Sequence, residues 1–299
     1  MRLDDFEPSD NVRDLGQGGG GGGGGFGLLG LLPLFLGRGR MGCGGIGLLA
    51  IVALVYFAMS GRLGGLTGTS GVSGPTTGAG AGGSGASVCN TEARRFTCQV
   101  LASTEQTWER LFAAQGGSYR APTLNFYQRG VTSGCGAATS AAGPFYCPPD
   151  QGIYLDTTFF DELAGRYGAA GDFAQAYVIA HEVGHHIQNL TGTAGEVTRQ
   201  QQRLSSAEGN ALSVRLELQA DCYAGVWAAQ NRQYLEAGDI EEGVTAANAI
   251  GDDTLQRQGQ GTVVPDSFTH GTSAQRIAWL RRGLETGDPA TCDTFAGPV

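Results

Sequence analysis

From Cys89 onward the apolar positions recur with periods that name the elements. Between Gly171 and Leu190, the residues Phe173, Ala176, Tyr177, Ala180, Gly184 and Ile187 form one apolar-to-small stripe at helical spacing. Asp172 is suited to cap the start of this helix, and Thr191-Gly192 to end it. Glycine costs a helix stability relative to alanine, so Gly184 predicts a neighbour packed close to the backbone. A second helix is predicted over Ser205 to Gln230, where Leu212, Leu216, Ala220, Tyr223, Ala224 and Trp227 repeat at three and four. Ser103 followed by Gln106 reads as a capping box opening a helix that runs to Ala114. Thr123 to Tyr127 and Gly152 to Leu155 alternate as short strands. Further helices are expected at Ile240–Gln258 and Thr272–Glu285. Residues 89–299 are enough for one domain with a single core. The expected fold class is α+β with helices dominant.

The first 88 residues are of another kind. Gly18 to Gly25 is an unbroken glycine run, and Gly64 to Gly85 is rich in Gly, Ser, Thr and Ala. Such sequence buries too little apolar surface to order itself. Between these tracts, Met41 to Gly61 carries no charge and is about as long as a bilayer core requires. Phe26 to Leu36 is apolar but shorter and interrupted by Pro33, which suits an interfacial segment. The expected organisation is a Gly-rich disordered segment over 1–43, a transmembrane helix over 44–61, a Gly/Ser/Thr-rich linker over 62–88, and the domain over 89–299. The chain has no lysine; Arg2, Arg13, Arg38 and Arg40 precede the apolar stretch and Arg62 follows it. By the positive-inside rule this predicts a single-pass protein with a cytoplasmic N-terminus and the domain periplasmic or extracellular.

Cysteine usage agrees with an exported domain. Cys89, Cys98, Cys135, Cys147, Cys222 and Cys292 are even in number, as disulfides in an oxidising compartment would be. The pairing expected is Cys89–Cys98, Cys135–Cys147 and Cys222–Cys292, one of fifteen connectivities that six cysteines allow. None of the spacings is CxxC, which argues against a cysteine-ligated zinc. The net charge of −9 gives no basic stripe, so nucleic acid is excluded as a partner.

The candidate chemistry sits on the two long helices. In His181-Glu182-Val183-Gly184-His185, residues four apart share a helix face, so both imidazoles can reach one metal ion. Glu182 is turned about 100° from His181 and stands beside the metal as a candidate general base. In Glu217-Leu218-Gln219-Ala220-Asp221, Glu217 is the candidate third ligand. Asp221, one turn on, is suited to accept the free N–H of a ligating histidine. Two imidazoles and one carboxylate leave a zinc position open, the mark of a catalytic site. His186 lies off the face of His185 and is expected to be a surface or supporting residue.

A third fragment, Phe268-Thr269-His270-Gly271 through Gln275-Arg276, resembles the end of membrane gluzincins of the CAAX-prenyl-protease type. That resemblance implies that His270 helps to stabilise an oxyanion and that Arg276 braces the active-site carboxylates. The chain as a whole is similar to the putative neutral zinc metallopeptidase family. The residues that carry this are Met1 to Asp5 with Ser9 to Val12, the glycine tract and apolar span, and Ser133-Gly134-Cys135-Gly136. Gly143 to Pro148, Ile153 to Asp156, His181 to His186, Glu217 to Trp227 and the His270 segment complete them.

These readings converge on a membrane-anchored zinc metallopeptidase acting on peptide or protein. Zinc acidifies a water and polarises the scissile carbonyl, with Glu182 as base. Ile153 to Asp156 is a candidate edge strand for binding an extended peptide. Two rivals stay open at this point: a tethered zinc-containing binding module without turnover, and a zinc hydrolase acting on a non-peptide amide or ester.

Overall fold

The structure, a computed structural model, describes residues 1–17 and 83–299. The span expected at 44–61 and the greater part of the Gly-rich tracts lie outside the described residues. Among the described residues, no helix is long and apolar enough to cross a membrane.

Elements run in the order β1 (Val12–Gln17), α1 (Glu92–Ala114), β2 (Thr123–Gln128), β3 (Gly130–Ser133), β4 (Gly136–Thr139), β5 (Phe145–Cys147) and β6 (Gly152–Leu155). There follow α2 (Phe159–Gly165), α3 (Asp172–Leu190), α4 (Thr193–Gln201), α5 (Ser206–Gln230), α6 (Asp239–Ala249), α7 (Asp252–Gln260) and α8 (Ser273–Thr286). Helices dominate a small mixed sheet, the α+β class expected. β1 and β2 pair in parallel, as do β2 and β6, while β5 is antiparallel to β6. The order β1-β2-β6-β5 makes β6 an interior strand. Gly152, Ile153 and Tyr154 therefore have ladder partners on both sides, and the expected peptide-binding edge is not there. On the α3 side the edge is β5. β3 and β4 form a separate hairpin, with Cys135 in its turn joined to Cys147 of β5. The other disulfides are Cys89–Cys98 and Cys222–Cys292, so all three expected pairs are present.

Residues 1–17 belong to this body, contrary to the expectation of a disordered segment from residue 1 to 43. Met1, Leu3, Phe6 and Val12 are buried in the main core. The Met1 ammonium pairs with Asp172 at 2.7 Å and Asp239 at 3.1 Å. Ser9 and Asn11 donate to the Glu105 carboxylate on α1 at 2.8 and 2.9 Å. Beside β1, Asp14 donates its backbone N–H to the Gly83 carbonyl at 2.9 Å. Strands hydrogen-bonded in one sheet lie on one side of any membrane. A cytoplasmic N-terminus with the body across a bilayer from it cannot hold together with this sheet.

Three predicted boundaries move for local reasons. α1 begins at Thr91, whose hydroxyl accepts the Arg94 N–H, and Ser103 is mid-helix. There its hydroxyl donates back to the Val100 carbonyl and accepts from Trp227 Nε1, an internal use that mimics a cap signal. Gly171 is the cap of α3, and Asp172 is its first residue. The helix expected over 240–258 is two, α6 and α7, because the chain breaks at Gly251 where any Cβ would strike the backbone of Ser273.

Two close crossings position the site. A Cβ at Gly184 of α3 would stand 2.9 Å from the Cα of Ala220, so the glycine lets α3 and α5 approach backbone to backbone. Gly225 of α5 and Gly283 of α8 make the same kind of contact on the opposite side of α5. α5 is thereby clamped between the helix that carries the histidines and the helix that carries Arg276.

Candidate metal centre

The stripe from Phe173 to Ile187 is buried throughout and fixes the rotation of α3. That rotation turns His181 and His185 toward α5, where Ser205 caps the helix in a full capping box and sets its register. His181 Nε2 lies 3.2 Å from Glu217 Oε2, and His185 Nε2 lies 3.4 Å from Glu217 Oε1. One nitrogen from each ring and one carboxylate oxygen all fall within 4.8 Å of one another. The imidazole planes stand nearly perpendicular, at 87°. Two neutral-capable nitrogens and one hard oxygen, converging from two rigid helices, suit zinc with an open coordination position.

Beneath this triad is a buried polar cluster. Asp221 is fully buried; its Oδ1 is 2.8 Å from His181 Nδ1 and accepts the Tyr177 hydroxyl at 2.6 Å. Arg276 donates Nε to Asp221 Oδ2 and Nη2 to Oδ1, both at 2.9 Å, a bidentate pair. It also donates to the Tyr177 oxygen at 3.2 Å and stands 4.0 Å from Glu217. Burial opposes the charge on Asp221, but Arg276 and His181 beside it hold its carboxyl below the usual range. Burial likewise works against Glu217, and the charges of His185 and His270 hold its carboxyl well down. Glu182 differs: it is buried without a partner of that strength, and burial pushes its carboxyl up.

His270 is apart from the triad, half-exposed on the loop before α8. It is near enough to Glu217 for their charges to interact. Asp252, the first residue of α7, holds that loop. Its Oδ2 accepts the backbone N–H groups of Thr269, His270 and Gly271 at 2.8, 2.6 and 3.0 Å. Its Oδ1 stands 3.3 Å from His270 Nδ1. His186 is fully buried rather than at the surface, with Nδ1 2.9 Å from the Tyr146 hydroxyl and Nε2 2.6 Å from the Arg120 carbonyl. It ties α3 to β5.

The structure therefore gathers His181, His185, Glu217, Asp221 and Arg276, with Glu182 on the same helix turn and His270 at the rim. Tyr177 and Asp252 went unread in the sequence. Tyr177 counts there as one more apolar position of the stripe. Asp252 sits in Gly251-Asp252-Asp253, inside a stretch taken for continuous helix.

A family model described as putative neutral zinc metallopeptidase matches residues 1–295. The chain belongs to that family. It is 54% identical to the uncharacterized protein YpfJ of Escherichia coli (strain K12) over 210 residues, covering 70% of this chain and 73% of that one. It is 44% identical to the uncharacterized protein Rv2575 of Mycobacterium tuberculosis (strain ATCC 25618 / H37Rv) over 229 residues, 70% of this chain and 75% of that protein. No solved structure matches the chain. The resemblance of the His270 segment to CAAX-prenyl proteases is not among these matches.

Proposed function

We propose that the chain is a zinc-dependent peptidase in which His181, His185 and Glu217 hold the metal and Glu182 is the general base. The observation that carries this is the convergence of both Nε2 atoms on the Glu217 carboxylate, at 3.2 and 3.4 Å, at the turn that also bears Glu182. Zinc held by these three would supply Lewis acidity, polarising a substrate carbonyl and making water more acidic.

The remaining work falls to the protein. Glu182 accepts the proton of the attacking water and passes it to the leaving amine. Its burial raises its proton affinity, which suits a group that must carry a proton between two steps. His270 donates an N–H to the oxyanion that develops on the carbonyl. Asp221 accepts from His181 Nδ1 and so directs Nε2 at the metal, while Arg276 and Tyr177 hold Asp221 in place. An extended peptide adding to the sheet would do so at β5, the edge beside α3.

The three disulfides favour an oxidising compartment for the body. Residues 1–17 would lie in that compartment with it.

The test is hydrolysis of an unfolded protein such as casein by the full chain. Activity should stop on chelation and return with added zinc. Activity indifferent to chelation would remove zinc from the mechanism.

A further inference from the structure

Gln188 lies one turn beyond His185 on α3 and is only 1% exposed. Its Nε2 donates to the Leu216 carbonyl of α5 at 2.6 Å and to Gln219 Oε1 at 3.2 Å. These two bonds use both amide hydrogens. The atom facing His185 Nδ1 at 2.9 Å is therefore Oε1, which can only accept. The reverse assignment would set an oxygen against the Leu216 carbonyl and a donor against the ring. Gln219 is fixed in turn, donating its Nε2 to the Cys292 carbonyl at 3.0 Å, and Cys292 is joined to Cys222 of α5. A chain of buried amides thus runs from a disulfide-anchored carbonyl to the outer nitrogen of His185.

We propose that Gln188 is a positioning residue for the metal centre, holding His185 with its proton on Nδ1 and its Nε2 lone pair toward the ion. The inference rests on the reading of His181, His185 and Glu217 as zinc ligands. It makes the two histidines parallel cases. Each turns Nε2 to Glu217 and Nδ1 to a buried oxygen, of Asp221 for His181 and of Gln188 for His185. The carboxylate is bidentate with Arg276, and the amide is held by neutral groups alone.

The experiment is zinc affinity of the full chain by competition with a chelator, for wild type, Gln188→Met and Gln188→Glu. Methionine keeps the volume and removes the acceptor; glutamate, protonated in this buried position, keeps one oxygen as acceptor for Nδ1–H and donates its hydroxyl to the Leu216 carbonyl, losing only the bond to Gln219. Gln188→Met should bind zinc about 10–100-fold more weakly. Gln188→Glu should recover most of that loss, which a merely structural role of the amide would not allow. Wild-type affinity in Gln188→Met, or equal weakness in both variants, overturns the proposal. A wild-type chain that takes up no zinc overturns the ligand reading as well, so the two failures are distinct. A second measurement needs no variant. The chain has four histidines, so nitrogen-15 spectra of their rings are tractable. In the zinc-loaded chain His185 should be the Nδ1–H tautomer and His186 the Nε2–H tautomer, since His186 Nε2 faces a carbonyl. A proton on Nε2 of His185 in the zinc-loaded chain contradicts the proposal.

Discussion

Arg276 grips Asp221 with two hydrogen bonds of 2.9 Å in the interior, 55 residues apart in the chain and one helix crossing apart in space. The guanidinium is almost fully buried and its carboxylate wholly so. Such a pair is weak evidence of net stabilisation, because both charges have lost their water. What it does is hold Asp221 charged and oriented under His181.

Breaking the pair from one side should therefore be costly. Arg276→Met leaves a buried carboxylate without its cation, at a cost of about 3–5 kcal/mol. Arg276→Lys should not rescue it, since an ammonium cannot reproduce the bidentate fork. Urea unfolding of the three proteins measures this. A lysine variant as stable as wild type would show that charge alone is needed.

Gly184→Ala tests the helix crossing. The new methyl would press on the Ala220 backbone, and overpacking of this kind costs about 1–3 kcal/mol. Because α3 must back away from α5, zinc affinity should fall with stability. Thermal unfolding and chelator competition read the two effects. Unchanged values for both would mean the crossing is looser than described.

How far the sequence alone carries is seen at these residues. His181, Glu182 and His185 are legible because a four-residue helical spacing is itself a geometry. Glu217 and Asp221 follow from the same spacing once a partner helix is inferred. The long helices and two of the strands are likewise written in their apolar periods. The docking of residues 1–17 is not, because a single short strand with polar neighbours has no periodic signature, and its meaning depends on a vacant edge of β2. Nor is the break between α6 and α7, since Gly251 is demanded by a contact with Ser273 that only the tertiary fold supplies. Tyr177 and Gln188 are hidden for the opposite reason: each fits its helix as an ordinary residue, and its function lies in one polar atom at its tip.

His270 and Asp252 should separate rate from binding. His270→Ala is expected to lower kcat about 10²–10³-fold, as loss of an oxyanion donor does, with little change in KM or zinc affinity. Asp252→Asn should lower kcat in wild type and add little in the His270→Ala background, since it acts through that loop. Steady-state kinetics of the double-mutant cycle decides this. Fully additive losses would show that Asp252 does not act through His270.

Acid stability offers a check remote from the candidate metal centre. Asp156 is buried, and burial opposes its charge, yet Ser140, the Arg129 N–H and Thr158 hold its carboxyl below the usual range. Its folded pKa is thus lower than its unfolded one, so its contribution is present above the unfolded value and is lost as pH falls through the folded value. Asp156→Asn should reduce stability near neutral pH and flatten the decline below about pH 4. Unfolding curves across that range test the sign. A variant with an unaltered acid slope would remove Asp156 from the account.

The most direct test of the central claim is cleavage of a diverse peptide mixture by the zinc-loaded full chain, read by mass spectrometry beside Glu182→Gln. The wild type should cut and the variant should not, at equal zinc content. A folded, zinc-containing wild type that makes no cuts, or a variant that cuts as well as wild type, would contradict that claim.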